Sequence, residues 1–277
     1  MTGVLVTDAP LAHLRWSPAA GAPARPPVLL LHGIGGGREA WGQAGSGTGR
    51  ALADAGFSVL ALDFPGYGLS PAIAPFDLAG LARSVIALID WVGAGPAVLV
   101  GHSMGGMVAQ ELAALAPGRI AGLVLASTSP AFGKPGGDWQ RGFLQSRFAP
   151  LDAGLGMAGL AARLVPAMVA PGTAAAAVAT AQALMAGVPE ATYRAAVTAL
   201  VEFDRRANLP AVRVPTLVIT GEHDATAPPE VSRRMAERIP GAACRIVPGA
   251  GHLLNLEQPQ AFNAALLAHL GACAGAR

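Results

Sequence analysis

The sequence predicts an α/β protein, with a mostly parallel eight-stranded sheet flanked by helices and one inserted helical segment. Three observations carry that expectation. Short β-type segments alternate with helical ones, the pattern of a sheet covered on both faces. Most of the β-type segments are unbroken apolar runs, which suit strands buried on both sides. Between about Ser129 and Asn208 the alternation stops, and Gly/Pro-punctuated helical stretches rich in Ala, Met and Leu take over.

The elements follow in order. Val4–Val6 and Leu11–Trp16, joined through Asp8-Ala9-Pro10, read as an opening antiparallel hairpin. Val28–Leu31, Ser58–Leu62, Ala97–Val100, Ile120–Ala126, Thr216–Thr220 and Cys244–Val247 are the further strands. Asp77–Trp91 carries Leu78, Leu81, Val85, Leu88 and Ile89 at helical spacing. A helix over Met104–Ala116 follows its strand, and a last one has Asn255 as cap, Pro259 in its first turn and a stripe of Phe262, Leu266, Leu267 and Leu270. Some eighty residues without structure would be implausible inside a compact domain. Residues 129–208 therefore read as a helical cap, on a core built from 1–128 and 209–277.

Composition narrows the function. The chain has 277 residues, 52% of them apolar, 13% charged, with a net charge of +2. No basic cluster marks a nucleic-acid surface. No apolar run is long enough for a membrane span, and the Ala-rich stretch Ala174–Val188 is broken by Thr180 and Gln182. No secretory signal is visible at the start, so the cytoplasm is the expected location. Two cysteines, Cys244 and Cys273, make neither a disulfide framework nor a zinc site. Cys244 is expected as a small buried hydrophobe. Neither metal nor cofactor is expected, and the chain is expected as a monomer or small homo-oligomer.

Four segments carry chemistry. Val98-Leu-Val-Gly-His-Ser-Met-Gly-Gly106 sets Gly-x-Ser-x-Gly between a strand and a helix. A serine hydroxyl is a weak nucleophile unless it is exposed, oriented and deprotonated by a base. A sharp strand-to-helix turn exposes Ser103, and glycines at Gly101 and Gly105 let the chain pass closely. The Met104 N–H, at the helix start, is then one oxyanion donor. Leu29-Leu-Leu-His-Gly-Ile-Gly-Gly-Gly37 follows a strand, and the Ile34 N–H is expected as the second donor. It lacks the Gly-Lys-Ser/Thr of a phosphate loop. His32 is expected to be structural.

Leu217-Val-Ile-Thr-Gly-Glu-His-Asp-Ala-Thr-Ala-Pro228 offers an acid past a strand end: Asp224, with Glu222 as its rival. Asp63, in Asp63-Phe-Pro-Gly-Tyr-Gly-Leu-Ser70, is expected to shape a loop. Val247-Pro-Gly-Ala-Gly-His252 supplies a histidine after both serine and acid, in the chain order Ser, Asp, His. His102 adjoins the serine and leaves the backbone in another direction. His13, His223 and His269 read as structural or surface residues.

Together these segments resemble the α/β-hydrolase superfamily. Gly101-His-Ser-Met-Gly-Gly-Met-Val-Ala-Gln110 and His252-Leu-Leu-Asn-Leu-Glu-Gln-Pro259 are most similar to 3-oxoadipate enol-lactonases and small carboxylesterases. Those lactonases more often carry Leu where His102 stands. The C–C hydrolases of aromatic ring-cleavage products, which place Asn before the serine and Trp after the histidine, share the layout. The resemblance implies a serine hydrolase acting on a small-molecule ester or lactone. C–C bond hydrolysis, cofactor-free perhydrolase or haloperoxidase chemistry, and slow-turnover ligand binding stay open.

Substrate selection falls to the cap, where Trp139, Phe143, Phe148, Met157, Met168, Met185 and Tyr193 could roof an apolar pocket, Trp139 and Phe143 foremost. Seven basic residues (Lys134, Arg141, Arg147, Arg163, Arg194, Arg205, Arg206) face five acidic ones there, leaving the cap at +2. A carboxylate-bearing substrate is compatible with that excess, as is a solvated helical surface.

Overall fold

The computed structural model describes residues 3–133 and 136–274. Lys134 lies outside them. The strands are β1 (Val4–Val6), β2 (His13–Trp16), β3 (Val28–Leu31), β4 (Val59–Leu62), β5 (Ala97–His102), β6 (Ile120–Ala126), β7 (Thr216–Gly221) and β8 (Ala243–Val247). They form one open sheet in the order β1-β2-β4-β3-β5-β6-β7-β8. The β1–β2 and β2–β4 pairs are antiparallel; from β4 to β8 every pair is parallel.

The helices are α1 (Thr48–Asp54), α2 (Leu78–Val92), α3 (Met104–Leu115), α4 (Asp138–Asp152), α5 (Gly156–Leu164), α6 (Ala175–Ala186), α7 (Glu190–Val201), α8 (Pro229–Arg238), α9 (Leu254–Glu257) and α10 (Pro259–Ala274). Side chains alternate across the pleat, so the run Val28-Leu-Leu-Leu31 feeds two cores. Leu29 and Leu31 join Leu81, Val85 and Leu88 of α2 and Val108 and Leu112 of α3 on one face. Val28 and Leu30 join Leu52 of α1 and Phe262, Leu266 and Leu270 of α10 on the other. Burying a strand on both faces requires apolar residues at consecutive positions, which is why β3 and β4 are buried throughout.

Helix ends follow local chemistry. Asp77 caps α2 by accepting from the Gly80 N–H at 2.6 Å, and Gly93 ends it in the left-handed region at φ 66°. Asn255 does not cap the last helix as the sequence suggested. It lies inside the short α9, and α10 begins at Pro259, whose ring fits a first helical position. Cys244 also departs from expectation: it is exposed. Its neighbours Ile246 and Val247 are apolar, but β8 ends the sheet and its first three residues, Arg245 among them, face solvent.

Between β6 and β7 the chain makes α4, α5, α6 and α7 and, among the described residues, contributes no strand to the sheet. Leu160, Met185, Tyr193, Val197 and Leu200 of these helices join the core cluster that also holds α2 and α3. Glu111 of α3 and Arg205 form a bidentate ion pair, at 2.7 and 2.6 Å, where the segment returns to the sheet. Among the described residues, no helix is long and apolar enough to cross a membrane.

Candidate active site

At the end of β5 the chain turns sharply into α3, and Ser103 sits at the turn with φ 52° and ψ −117°. That is a costly conformation for a residue with a Cβ, of order 1–3 kcal/mol, and it persists only where neighbours dictate it. The Ser103 N–H donates to Ala126 O at 2.9 Å, and Thr128 Oγ1 donates to Ser103 O at 2.8 Å. The flanking glycines are forced by space. A Cβ on Gly101 would sit 2.4 Å from Gly105 O, and one on Gly105 would sit 2.2 Å from Leu31 O.

His252 comes from the loop between β8 and α9. Its Nε2 lies 3.0 Å from Ser103 Oγ, and its Nδ1 lies 3.0 and 3.1 Å from the two carboxylate oxygens of Asp224. Asp224, at the end of the β7 loop, also accepts from Thr226 N–H, Ala227 N–H and the Thr220 hydroxyl at 2.9, 2.8 and 3.2 Å. Burial pushes its carboxyl up, but His252 beside it and the donated Ala227 N–H outweigh this, leaving it below the ordinary range. The rival acid Glu222 is turned away: it is exposed and accepts from Gly249 N–H at 3.0 Å. Ser103, His252 and Asp224, far apart in sequence, therefore meet at the carboxyl edge of the sheet.

The expected oxyanion donors lie close by. Among the described residues, neither the Ile34 nor the Met104 N–H donates to a protein acceptor. For Met104 this follows from its place at the first residue of α3, where helices leave their N–H groups unpaired. The Ile34 loop is held from three sides. His32 Nδ1–H donates to Gly33 O at 2.8 Å, Gly36 N–H donates to the same oxygen at 3.0 Å, and the Tyr67 hydroxyl donates to Ile34 O at 3.1 Å. Because Phe64 N–H donates to His32 Nε2 at 3.1 Å, His32 is a neutral Nδ1–H imidazole, and burial lowers its pKa accordingly. Asp63 shapes the neighbouring loop, accepting from Arg38 N–H and Leu69 N–H and pairing with the Arg38 guanidinium.

Two contributions lie beyond what the sequence reading assigned. His102 is buried, and its Nε2–H donates to His252 O at 2.7 Å, holding the backbone of the histidine loop. Burial first, then the adjacent His252, pushes its pKa down to about 4, so it is neutral. Glu257 accepts from Gly251, Leu253 and Ala170 N–H groups at 2.9, 2.9 and 2.7 Å and from Thr173 Oγ1 at 2.9 Å. It thereby fastens the His252 loop to the segment after α5, as does the bond from His252 N–H to Met168 O at 2.7 Å. The signal was present as an acid five positions after a histidine, but its partners are remote in sequence.

Two cavities open on Ser103 and His252. One, of about 470 Å³, runs between the sheet edge and α4, α5 and α7. The other, of about 60 Å³, lies towards Trp41, Leu184 and Asn255. Trp139 and Phe143 do line the larger cavity, stacked at 5.8 Å between ring centroids, although Trp139 is 60% exposed at its rim. Met168, Met185 and Tyr193 also line it, whereas Phe148 and Met157 pack among the helices and reach neither cavity. Among the described residues there is no group of three or more His, Cys, Asp or Glu that could hold a metal ion.

Comparison with known proteins agrees with this architecture. The profile of the alpha/beta hydrolase family matches residues 28–265. A protein provisionally named carbamate hydrolase RutD from Variovorax paradoxus is 36% identical, over 87% of this chain and 90% of its own length. The pimeloyl-[acyl-carrier protein] methyl ester esterase of Chromobacterium violaceum is 31% identical, over 88% of this chain and 94% of its own. Among solved structures, a hydrolase from Pseudomonas aeruginosa superposes with TM-score 0.82 at 31% identity, covering 97% of this chain and 98% of its own. The chain belongs to the alpha/beta hydrolase family.

Proposed function

We propose that the protein hydrolyses a small-molecule carboxylic ester or lactone by nucleophilic catalysis, with Ser103 as nucleophile, His252 as base and Asp224 as its orienting acid. The single observation that carries this reading is the His252 imidazole bridging Ser103 Oγ and Asp224 at 3.0 Å on each side, in front of an open cavity. His252 Nε2 takes the Ser103 proton as Oγ bonds to the carbonyl carbon. Asp224 holds the Nδ1–H tautomer and stabilises the imidazolium. The N–H groups of Ile34 and Met104 receive the negative charge that develops on the carbonyl oxygen. The imidazolium returns its proton to the departing alkoxide, which leaves as the alcohol. Water, deprotonated in turn by His252, then attacks the acyl-Ser103 carbonyl; the C–Oγ bond breaks, the imidazolium returns the proton to Ser103 Oγ, and the acid is released.

Residues 129–208 act in this reading as a cap over a core of 1–128 and 209–277. Trp139 and Phe143 form the rim through which substrate enters. The unequal cavities fit an ester with one bulky and one compact side. The smaller has room for roughly four to six waters' worth of atoms. Methyl ester hydrolysis, the activity in the name of the Chromobacterium violaceum relative, divides a substrate in that way. The reaction needs no metal or cofactor, and it fits a cytoplasmic enzyme.

A fluorophosphonate probe tests the reading. It should add one covalent adduct, found on Ser103 by peptide mass spectrometry, with loss of hydrolysis of short-chain aryl esters; Ser103→Ala should take up no label. An adduct on another serine, persisting in Ser103→Ala, would overturn the assignment.

A further inference from the structure

We propose that the larger cavity is a subsite for a carboxylate carried by the substrate, and that Arg147 of α4 is the residue that binds it. This rests on the ester-hydrolase reading and names the substrate class more narrowly: an ester whose bulky side carries a carboxylate.

The argument begins with charge. Among the described residues that line the 470 Å³ cavity, Arg147 is, apart from His252, the only one with an ionisable acid or guanidinium group, unless the phenol of Tyr193 is counted. The remaining wall is largely Met, Leu, Val, Phe and Trp, with hydroxyls of Ser127, Thr128, Ser129 and Thr226 near the sheet edge. Among the described residues no Asp or Glu faces the space, so no carboxylate of that wall neutralises the guanidinium.

The other arginines of residues 129–208 are treated differently. Arg141, Arg194, Arg205 and Arg206 each pair with a carboxylate of the chain. Arg163 has none but is exposed and lines no part of the cavity. Arg147 is half-buried, and among the described residues no carboxylate lies within ion-pair distance of it. Its guanidinium lies over the Phe143 ring, 4.8 Å from the centroid. A guanidinium held over a ring face still has N–H donors to offer a planar, two-oxygen acceptor.

A second polar group lines the same cavity: the buried Tyr193 phenol, raised by burial and lowered in part by the Arg147 charge. A cation half-withdrawn from water without a partner carries a desolvation cost that an incoming carboxylate offsets. A neutral chain of the same length offsets none of it. Discrimination between the two should amount to roughly 10- to 100-fold in kcat/KM, the range of a charge-assisted hydrogen bond.

The carboxylate could be borne by the acyl part or by the alcohol part, and paired substrates separate these. Monomethyl adipate against methyl hexanoate reads the acyl side; 6-acetoxyhexanoate against hexyl acetate reads the alcohol side. Acid release is followed by pH-stat for the wild type, Arg147→Gln and Arg147→Lys, and adipate binding to each protein is measured by calorimetry. One charged substrate should exceed its neutral partner at least tenfold in the wild type. The ratio should fall towards one in Arg147→Gln and recover in part in Arg147→Lys, and adipate affinity should fall with it.

Equal charged-to-neutral ratios in the wild type and Arg147→Gln would overturn the subsite while leaving ester hydrolysis intact. Absence of any ester hydrolysis, with adipate binding that Arg147→Gln weakens, would keep the subsite and remove the ester-hydrolase reading. Adipate binding unaffected by either substitution, or no binding together with no charge preference, overturns the subsite as well.

Discussion

The loops at the sheet's carboxyl edge and the helices above them are built by opposite means. In the loops nearly every polar group has a partner: Asp224 takes four donors, Asp63 ties two loops, and His32 both donates and accepts. Each such bond tolerates only a few tenths of an ångström. The helices present Met185, Val197 and Leu200 to the same space, apolar side chains held by contact alone. Apolar packing fixes volume and outline but leaves many side-chain choices nearly equivalent. The contrast teaches where specification resides: atom positions in the loops, cavity shape in the helices. The regions are fastened where Glu257 and His252 N–H meet residues 168–173.

The sharpest way to break this comparison is to disturb one loop hydrogen bond without changing shape. Asp224→Asn presents an amide where His252 Nδ1–H needs an acceptor, favouring the wrong tautomer at Nε2. The expected loss in kcat is on the order of 10⁴-fold, with the circular dichroism spectrum retained. A loss under tenfold would mean that backbone tethering by Met168 and His102 orients the imidazole sufficiently, and that the side-chain bond is dispensable.

A smaller effect is expected in the helices. Met185 lines both cavities and lies where a Cβ on Gly35 would touch its Cγ at 3.3 Å. Met185→Ala joins more of the two spaces. The ratio of kcat/KM for a bulky acyl ester over a compact one should rise about tenfold, the scale of one or two methylenes in a pocket. A panel of methyl esters of increasing acyl length reads that ratio directly. An unchanged ratio, with kcat lowered uniformly, would show Met185 acting on the chemistry and would erase the division between regions.

This division also governs how much could be read from the sequence. The eight strands and the meeting of Ser103, Asp224 and His252 were legible because short motifs with glycines and strand periodicity encode them locally. Glu257 and His102 were not, since their acceptors and donors lie at Ala170, Thr173 and His252 O, contacts that only the fold creates. Cys244 misled because the apolar Ile246 and Val247 beside it do not reveal that the strand is the sheet's edge. Among residues 129–208, Trp139 and Phe143 stood out for size, while Arg147 was one arginine among several until the others were seen to be paired or, like Arg163, exposed away from the cavity.

The smallest effect concerns pH and the polar region alone. His102 donates Nε2–H to His252 O, and its pKa is held down to about 4, by burial first and the neighbouring His252 second. In the unfolded chain a histidine titrates near 6.5. Between those values the unfolded state binds a proton that the folded state refuses, so stability falls as the pH drops from about 6.5 towards about 4. Above this window the group contributes no slope, and below it both states are protonated. At pH 5 the loss attributable to His102 should be about 2 kcal/mol relative to pH 7. His102→Leu should lose some stability at every pH, since His252 O forfeits its donor, yet show a shallower decline on the acid side. His13 and His32 are also lowered by burial and should leave a residual slope in both proteins. The decisive quantity is therefore the difference between the two urea-unfolding free energies at pH 7 and again at pH 5. If that difference is the same at both pH values, His102 is not carried into the folded state as a buried neutral imidazole, and its bond to His252 O must be made in a charged form.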